Sequence, residues 1–290
     1  MTALSVDVHE LIAWGCDEYP LRNAMADFSP KALATKVRRA CEALAERECY
    51  VHKGALMVEQ TESIQPLLSL ASQRDDLQKE YEGLVWTLGV VDLRQLLAFQ
   101  RRLIFDSTRQ PLGPVGQDDW PGLISLAIGS KRSTGYRLER NKCGRDGLDI
   151  SLYSGNPDLQ LRLHAEQSEV GLSPLSLYGG SPFLEVAELG GRWFLRDGYH
   201  RAYNLLQMGV HHVPAIVIYA RDIGEVGATE PWFFCEEQLF SDRPPRIIDF
   251  LDTDFVLRYK RAPLRKVIRV RIEESLEEFD ETEDVQGDEL

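Results

Sequence analysis

The chain has few cysteines, and they lack the spacing of a disulfide framework or a zinc site. The five are scattered, odd in number and nowhere arranged as Cys-x-x-Cys: Cys16, Cys41, Cys49, Cys143 and Cys235. This usage indicates reduced thiols in a cytoplasm rather than the bridges of a small secreted domain. Cys49 and His52 lie close in sequence, but no second pair follows at zinc-site spacing. We therefore expect a cytoplasmic protein with no structural metal.

Long apolar runs and several common functional motifs are also missing. No apolar run approaches the roughly 20 residues of a membrane-spanning helix. The segment Met1–Pro20 carries four acidic residues and no Lys or Arg, unlike a secretory signal. The sequence contains no P-loop, no dinucleotide-binding glycine fingerprint and no Gly-x-Ser-x-Gly motif. We expect no membrane partner, and the enzyme classes that those motifs define are not favoured.

The negative charge of the chain is concentrated at one end. The formal net charge is −13, but residues 273–290 hold ten acidic residues and no Lys or Arg. Without them the chain has 33 basic and 36 acidic residues, so the remainder is nearly neutral. We predict that 273–290 is a disordered acidic tail. It follows a basic stretch, Arg258–Arg271, and it either compensates that charge locally or masks an anion-binding strand.

The N-terminal part of the chain has mainly helical signals. Ser29-Pro30 reads as a helix cap followed by proline at the first helical position, and the helix is expected to run to about Arg47. Residues 1–82 are therefore predicted to form a mostly helical region. Leu84–Val91 reads as a strand, and Asp92 is expected to cap a helix over Leu93–Leu103.

The rest of the chain is richer in strands. Residues 135–166 contain three strand patterns separated by turns rich in Gly, Asn, Asp and Pro, and Val267–Ile272 alternates arginine with aliphatic residues. Trp120–Ile128 is predicted to be a short helix. These patterns predict an α+β protein, with an α+β domain over residues 83–272.

The most informative segment is Trp193–Val217, which reads as strand, tight turn, helix, turn and strand. The turn is Asp197-Gly198-Tyr199-His200-Arg201. Glycine permits a backbone conformation that a side chain would disfavour, and backbone N–H groups at a helix start attract anions. Two basic residues in the first helical turn oppose the helix dipole, a conflict that a bound phosphate would remove.

This turn resembles that of the ParB/sulfiredoxin-like superfamily, and the resemblance covers roughly residues 185–220. In that superfamily a Gly-x-x-Arg turn at a helix start grips nucleotide phosphates. Sulfiredoxins carry Gly-Cys-His-Arg, ParB proteins carry Gly-Glu-Arg-Arg, and free serine kinases carry Asp-Gly-x-x-Arg, often with His before the Arg. The present turn is most similar to those of kinase-like and uncharacterised members of the superfamily. Tyr199 replaces the catalytic cysteine of sulfiredoxin and the carboxylate of ParB, which puts both of those activities in doubt.

The resemblance implies a mixed sheet with the strand–turn–helix at 183–219. It also implies a phosphate site formed by Gly198, Tyr199, His200 and Arg201, with ATP, ADP or CTP and Mg²⁺ as cofactors. Asp197 is a candidate Mg²⁺ ligand, although it could equally cap the helix. The partner would be a nucleotide or a phosphorylated small molecule, and the activity phosphotransfer or nucleotide hydrolysis.

Two other interpretations stay open at this stage. Arg201 could simply pin the turn, in a non-catalytic interaction protein that retains the fold. A DNA-associated role is not favoured, because no helix-turn-helix segment follows the motif and the body of the chain is not basic. Phosphotransfer would also need a base. Glu185 and Glu188 are nearby in sequence, but both could be charges on the surface of a strand.

Overall fold

The computed structural model describes residues 5–16, 29–105, 113–129, 135–143, 147–155, 159–163, 175–178 and 181–273. These residues form two compact units. The first lies within residues 1–132 and 181–263, and the second within residues 133–180 and 264–290. The first unit thus includes residues on both sides of position 82, where the sequence placed a boundary between 1–82 and 83–272.

The described residues contain both helices and strands throughout. The strands are, in chain order, β1 (Val6–Leu11), β2 (Trp86–Asp92), β3 (Leu97–Ala98), β4 (Arg102–Phe105), β5 (Arg137–Cys143), β6 (Gly147–Ser154), β7 (Gln160–Leu163), β8 (Leu175–Tyr178), β9 (Glu185–Leu189), β10 (Arg192–Asp197), β11 (His212–Tyr219), β12 (Val256–Arg261) and β13 (Lys266–Glu273). The α-helices are α1 (Pro30–Glu46), α2 (Val58–Ser63), α3 (Gln65–Ser72), α4 (Asp75–Glu80), α5 (Trp120–Ala127), α6 (Tyr199–Gln207), α7 (Ile223–Val226) and α8 (Glu236–Leu239). The predicted α+β class is confirmed.

A five-stranded mixed sheet forms the centre of the first unit. Its strand order is β2-β11-β9-β10-β3. The strand β11 lies parallel to β9 and antiparallel to β2, while β10 is antiparallel to β9 and parallel to β3. Helix α6 connects β10 to β11 and buries Ala202, Leu205 and Leu206 in the core. The predicted succession of strand, turn, helix and strand is confirmed.

A second sheet of the first unit brings the N-terminal segment into it. Strand β1 pairs antiparallel with β12 on one side and with β4 on the other. A strand at Val6–Leu11 differs from the mostly helical region predicted for residues 1–82. The reason is that its partners lie about 95 and 250 residues further along the chain, and local patterns do not reveal such pairing. The helix predicted to start at Ser29-Pro30 is confirmed as α1. The Ser29 hydroxyl caps it by accepting the N–H of Ala32 at 3.2 Å.

The helix predicted after Asp92 is wrong. Asp92 does cap a turn, since its carboxylate accepts the Arg94 N–H, but the turn is a short 3-10 helix over Leu93–Gln95. The next four residues are all fully buried: Leu96, Leu97, Ala98 and Phe99. A surface helix buries one face only, whereas a strand that is covered on both faces buries consecutive residues. Strand β3 accordingly pairs with β10, and the chain then continues into β4.

The second unit is made of strands in its described part. The strands β13, β6 and β5 form an antiparallel sheet in that order, and β7 pairs antiparallel with β8. The strands predicted within 135–166 and at 267–272 are confirmed. The predicted acidic tail lies outside the described residues, apart from Glu273 at the end of β13. No helix within the described ranges is long and apolar enough to cross a bilayer.

Candidate functional site

The turn between β10 and α6 has a conformation that requires glycine. Gly198 has φ 92° and ψ 18° and stands at the N-cap of α6, where no side chain caps the helix. A Cβ atom at this position would lie 3.2 Å from Leu184 Cγ and 3.3 Å from its Cα. Positive φ and close approach of the neighbouring chain both disfavour a side chain. The chain therefore passes from the end of β10 into α6 through the single residue Gly198.

The Tyr199 side chain faces inward and binds the main chain after β3. Its hydroxyl oxygen accepts the N–H of Phe99 at 2.9 Å and the N–H of Gln100 at 3.3 Å. The residue is 4% exposed, and burial raises the pKa of its hydroxyl above the usual range, so the group stays neutral. Tyr199 therefore fastens the start of α6 to the end of β3.

We expect Tyr199→Phe to lower the free energy of unfolding by about 1–3 kcal/mol, because two backbone N–H groups lose their acceptor inside the protein. The matched control is Tyr203→Phe on the same helix. The Tyr203 hydroxyl accepts only the Gln207 amide in the described structure, and Gln207 is exposed, so water can replace that bond. Urea unfolding of both variants measures the difference. Equal losses would contradict the role given to Tyr199.

His200 and Arg201 also bind carbonyl oxygens of the main chain. His200 Nε2 lies 2.8 Å from the carbonyl oxygen of Ile104, so that nitrogen carries the proton in this contact. The Arg201 guanidinium donates to three carbonyl oxygens, one of them that of Leu126 at 3.1 Å and the other two those of Pro182 and Phe183. The Arg201 side chain thus joins the end of α5 to the segment before β9.

Asp197 holds the other side of the turn. One carboxylate oxygen accepts the N–H of Ser181 at 3.2 Å, and the other accepts the N–H of Gly198. The five predicted site residues are therefore adjacent, as their sequence requires. The side chains of Asp197, Tyr199, His200 and Arg201 all bind backbone groups of neighbouring segments. No group of three or more His, Cys, Asp or Glu side chains that could hold a metal occurs among the described residues.

A buried ion pair next to the turn was missed by sequence reasoning. Glu185, on β9, is 1% exposed, so the interpretation as a strand-surface charge is wrong for it. Its carboxylate pairs with the Arg196 guanidinium and accepts the Tyr81 hydroxyl. Burial, and then Glu185, raise the Tyr81 pKa, which keeps the proton on the hydroxyl. The sequence did contain a signal for this pair, because a hairpin that turns at Gly190–Gly191 places Glu185 close to Arg196 on the neighbouring strand. In the structure a β-bulge brings Asp197 opposite Glu185.

A histidine packs beneath helix α6. The His9 ring on β1 lies 4.7 Å from the Phe105 ring and 5.5 Å from the Tyr203 ring, measured between centroids. Burial, and then the charge of Arg258, lower the pKa of His9 from 6.5 to about 4, against an opposing effect of Asp7. His9 is therefore neutral in the folded protein at pH 7.

This shift predicts a pH dependence of stability. Between pH 6.5 and about 4 the unfolded chain binds a proton at His9 that the folded chain does not, so stability falls as pH falls through this window. After allowance for solvent screening, we expect His9 to contribute about 1–2 kcal/mol of that loss. His9→Phe, which keeps the aromatic packing, should show a shallower fall in melting temperature over the same window. Parallel profiles for the two proteins would contradict the assignment.

Comparison of the chain with protein-family models, with curated proteins and with solved structures finds no match. The comparisons therefore neither support nor contradict the resemblance of the turn to the ParB/sulfiredoxin-like superfamily. The functional interpretation depends on the residues and geometry described above.

Proposed function

We propose that this protein binds a phosphate group of a nucleotide, or of another phosphorylated small molecule, at the start of helix α6. The observation that carries the proposal is the junction of β10 with the helix through Gly198, which has no side chain and a left-handed conformation. The first N–H groups of a helix have no acceptor within the helix. Together with the positive end of the helix dipole, they attract anions.

The position of the junction in the sheet supports the proposal. Strands β3 and β10 are adjacent and parallel, so their carboxyl ends lie at the same edge of the sheet. Helix α6 begins at that edge. In sheets with parallel strands, ligands commonly bind beyond the carboxyl ends of the strands. The resemblance to a superfamily of phosphate-gripping turns agrees with this location.

The charges of the first helical turn also favour an anion. This turn contains His200 and Arg201 and no acidic residue. Positive charge at a helix start opposes the helix dipole, and a bound anion would offset that conflict. Because the Arg201 guanidinium binds three carbonyl oxygens, we assign the phosphate contacts to backbone N–H groups. Arg201 contributes its positive charge and holds the segments around the site.

The nucleotides that we propose are ATP, ADP or CTP with Mg²⁺. Mg²⁺ is usually held by one or two carboxylates together with substrate phosphates. Asp197, beside the first turn of α6, offers one carboxylate, and its oxygens accept the N–H groups of Ser181 and Gly198. Asp197 would therefore hold the ion against the phosphates, and the ion would neutralise part of their charge.

Phosphotransfer or hydrolysis at this position would also need a base. Glu185 is the nearest buried carboxylate in the sheet, but Tyr81 and Arg196 already occupy it. A non-catalytic protein that keeps the fold is therefore the second candidate function. The observation that favours it is the engagement of Tyr199 and Arg201 with the main chain, which stabilises the turn whether or not a ligand binds.

A thermal-shift panel with ATP, ADP, CTP and pyrophosphate, each with and without Mg²⁺, tests the proposal. One of them at about 100 times its Kd should raise the melting temperature by about 5 °C, since ligation then adds about 2.7 kcal/mol. Asp197→Asn should reduce the increment that depends on Mg²⁺ and leave the metal-free increment. No shift with any of the four would contradict phosphate binding and favour the non-catalytic alternative.

A further inference from the structure

The two faces of the sheet β13-β6-β5 differ in chemistry. Directly opposed residues of antiparallel strands share a face. On one face the register brings together seven aliphatic residues with Ser154 and three basic residues: Leu138, Leu148, Ile150, Leu152, Ile268, Val270 and Ile272, with Arg140, Lys142 and Lys266. The other face carries Arg137, Arg269 and Arg271 around Tyr153, together with Glu139, Asn141, Asp149, Ser151, Val267 and Glu273. Arg265, just before β13, reaches the same face, since its guanidinium lies over the Tyr153 ring. We call this side the arginine face.

The arginine face holds four arginines, Arg137, Arg265, Arg269 and Arg271, and three acidic residues, Glu139, Asp149 and Glu273. Arg137 pairs with Glu139 at 2.8 Å, and Arg271 pairs with Asp149 at 3.0 Å. Both guanidinium-bearing side chains are still more than half exposed, at 62% and 61%. Within the described part of the chain, no acidic residue pairs with Arg265 or Arg269. Two arginines are thus left to bind an anion from outside.

Tyr153 adds an aromatic surface to the same face. The guanidinium carbons of Arg137 and Arg265 lie 4.9 Å and 4.7 Å from the centre of its ring. Stacking of guanidinium planes and an aromatic ring provides flat apolar surface beside positive charge. An acidic peptide would use the charge alone, whereas an unpaired nucleobase would use both.

We propose that the arginine face binds single-stranded nucleic acid. Proteins that bind single strands combine basic residues along the phosphates with aromatic and arginine side chains on which the bases stack. Arg265 and Arg269 would bind phosphates, and Tyr153 with its neighbouring guanidinium groups would stack with bases. A duplex hides its bases from such stacking, so the face selects single strands.

The test is fluorescence anisotropy with full-length protein and labelled single-stranded oligonucleotides of about 16 nucleotides, at several salt concentrations. The variant Arg265→Ser/Arg269→Ser removes two charges from the arginine face. Its matched control, Arg140→Ser/Lys142→Ser, removes two charges from exposed residues whose register places them on the opposite face of the same sheet. We expect the first to weaken binding at least tenfold and the control less than threefold.

The salt dependence separates the two kinds of contact. Each lost phosphate contact should reduce the slope of log K against log salt by about 0.7, so the arginine variant should lose about 1.4. Tyr153→Leu should weaken binding and leave the slope unchanged. Equal losses in the arginine variant and the control, equal affinity for a duplex, or no binding would each overturn the proposal. Binding seen only after removal of residues 275–290 would identify the acidic segment of the chain as the occupant and would also overturn it.

Discussion

Replacing Arg201 with alanine is expected to lower the free energy of unfolding by about 3 kcal/mol, which is the upper range for hydrogen bonds to a charged group. The guanidinium donates to the carbonyl oxygens of Leu126, Pro182 and Phe183. In the variant all three lose their donor at once, and the end of α5 is no longer joined to the segment before β9. Urea unfolding at neutral pH measures the loss.

Two further arginine variants make this result interpretable. Arg221 is 70% exposed and pairs with Glu225, four residues further along the chain, so Arg221→Ala should change the stability very little. Arg201→Lys keeps the charge but not the planar fork that reaches three oxygens, and it should recover less than half of the loss. If Arg201→Ala were no more destabilising than Arg221→Ala, Arg201 would not hold these segments together.

Glu185→Ala is expected to be at least as destabilising, with a loss of about 3–5 kcal/mol. The carboxylate is buried between Tyr81 and Arg196. Its removal takes the charge of Glu185 away from a largely buried guanidinium and leaves a buried hydroxyl without its acceptor. The measurement is again equilibrium unfolding, with circular dichroism to confirm that the variant folds at low temperature.

Glu188, on the same strand, provides the control for Glu185. Its carboxylate accepts only the Gly191 N–H in the exposed hairpin turn of the described structure, so Glu188→Ala should cost about 1 kcal/mol. The double variant Glu185→Ala/Arg196→Ala should be less destabilised than the sum of the two single variants, because each single variant already loses the interaction between the two side chains. Strict additivity would show that the two side chains do not form a pair.

Local signals in the sequence were sufficient for the elements around the turn. The apolar run at Trp193–Leu195, the glycine that follows Asp197 and the apolar spacing of Ala202, Leu205 and Leu206 predict β10, Gly198 and α6 in the correct order. Ser29-Pro30 likewise marks the start of α1. These features depend on residues within one or two turns of chain, so neighbouring positions were enough to predict them.

Long-range pairing could not be predicted in the same way. Strand β1 is defined by β4 and β12, and β3 by its contact with β10, and in each case the partner is remote in sequence. The segment after Asp92 has helical spacing of leucines, but the burial of four consecutive residues, Leu96–Phe99, favours extended structure. The conformation of these two strands follows from their tertiary contacts and not from the local propensity of their residues.

The same distinction applies to the candidate site. The sequence identified Asp197, Gly198, Tyr199, His200 and Arg201 as neighbours, and their side chains were assigned to a ligand because the turn resembles phosphate-gripping turns. Their partners in the structure are backbone groups of the segments around residues 99–104, 126 and 181–183. Those partners are 16–100 residues away. Every residue has the same backbone groups, so the residue types of a sequence do not show which of them a side chain will bind.

The most direct test of phosphate binding at α6 compares His200→Pro with His200→Ala. Both variants lose the imidazole, but only proline lacks the backbone N–H at the second position of the helix. Proline already occupies that position in α3 and α5, as Pro66 and Pro121, so the helix itself tolerates it. Isothermal titration with the nucleotide that stabilises the native protein should give affinity for His200→Ala at least tenfold higher than for His200→Pro. Equal affinities in the two folded variants would contradict the claim that the backbone at the start of α6 holds the phosphate.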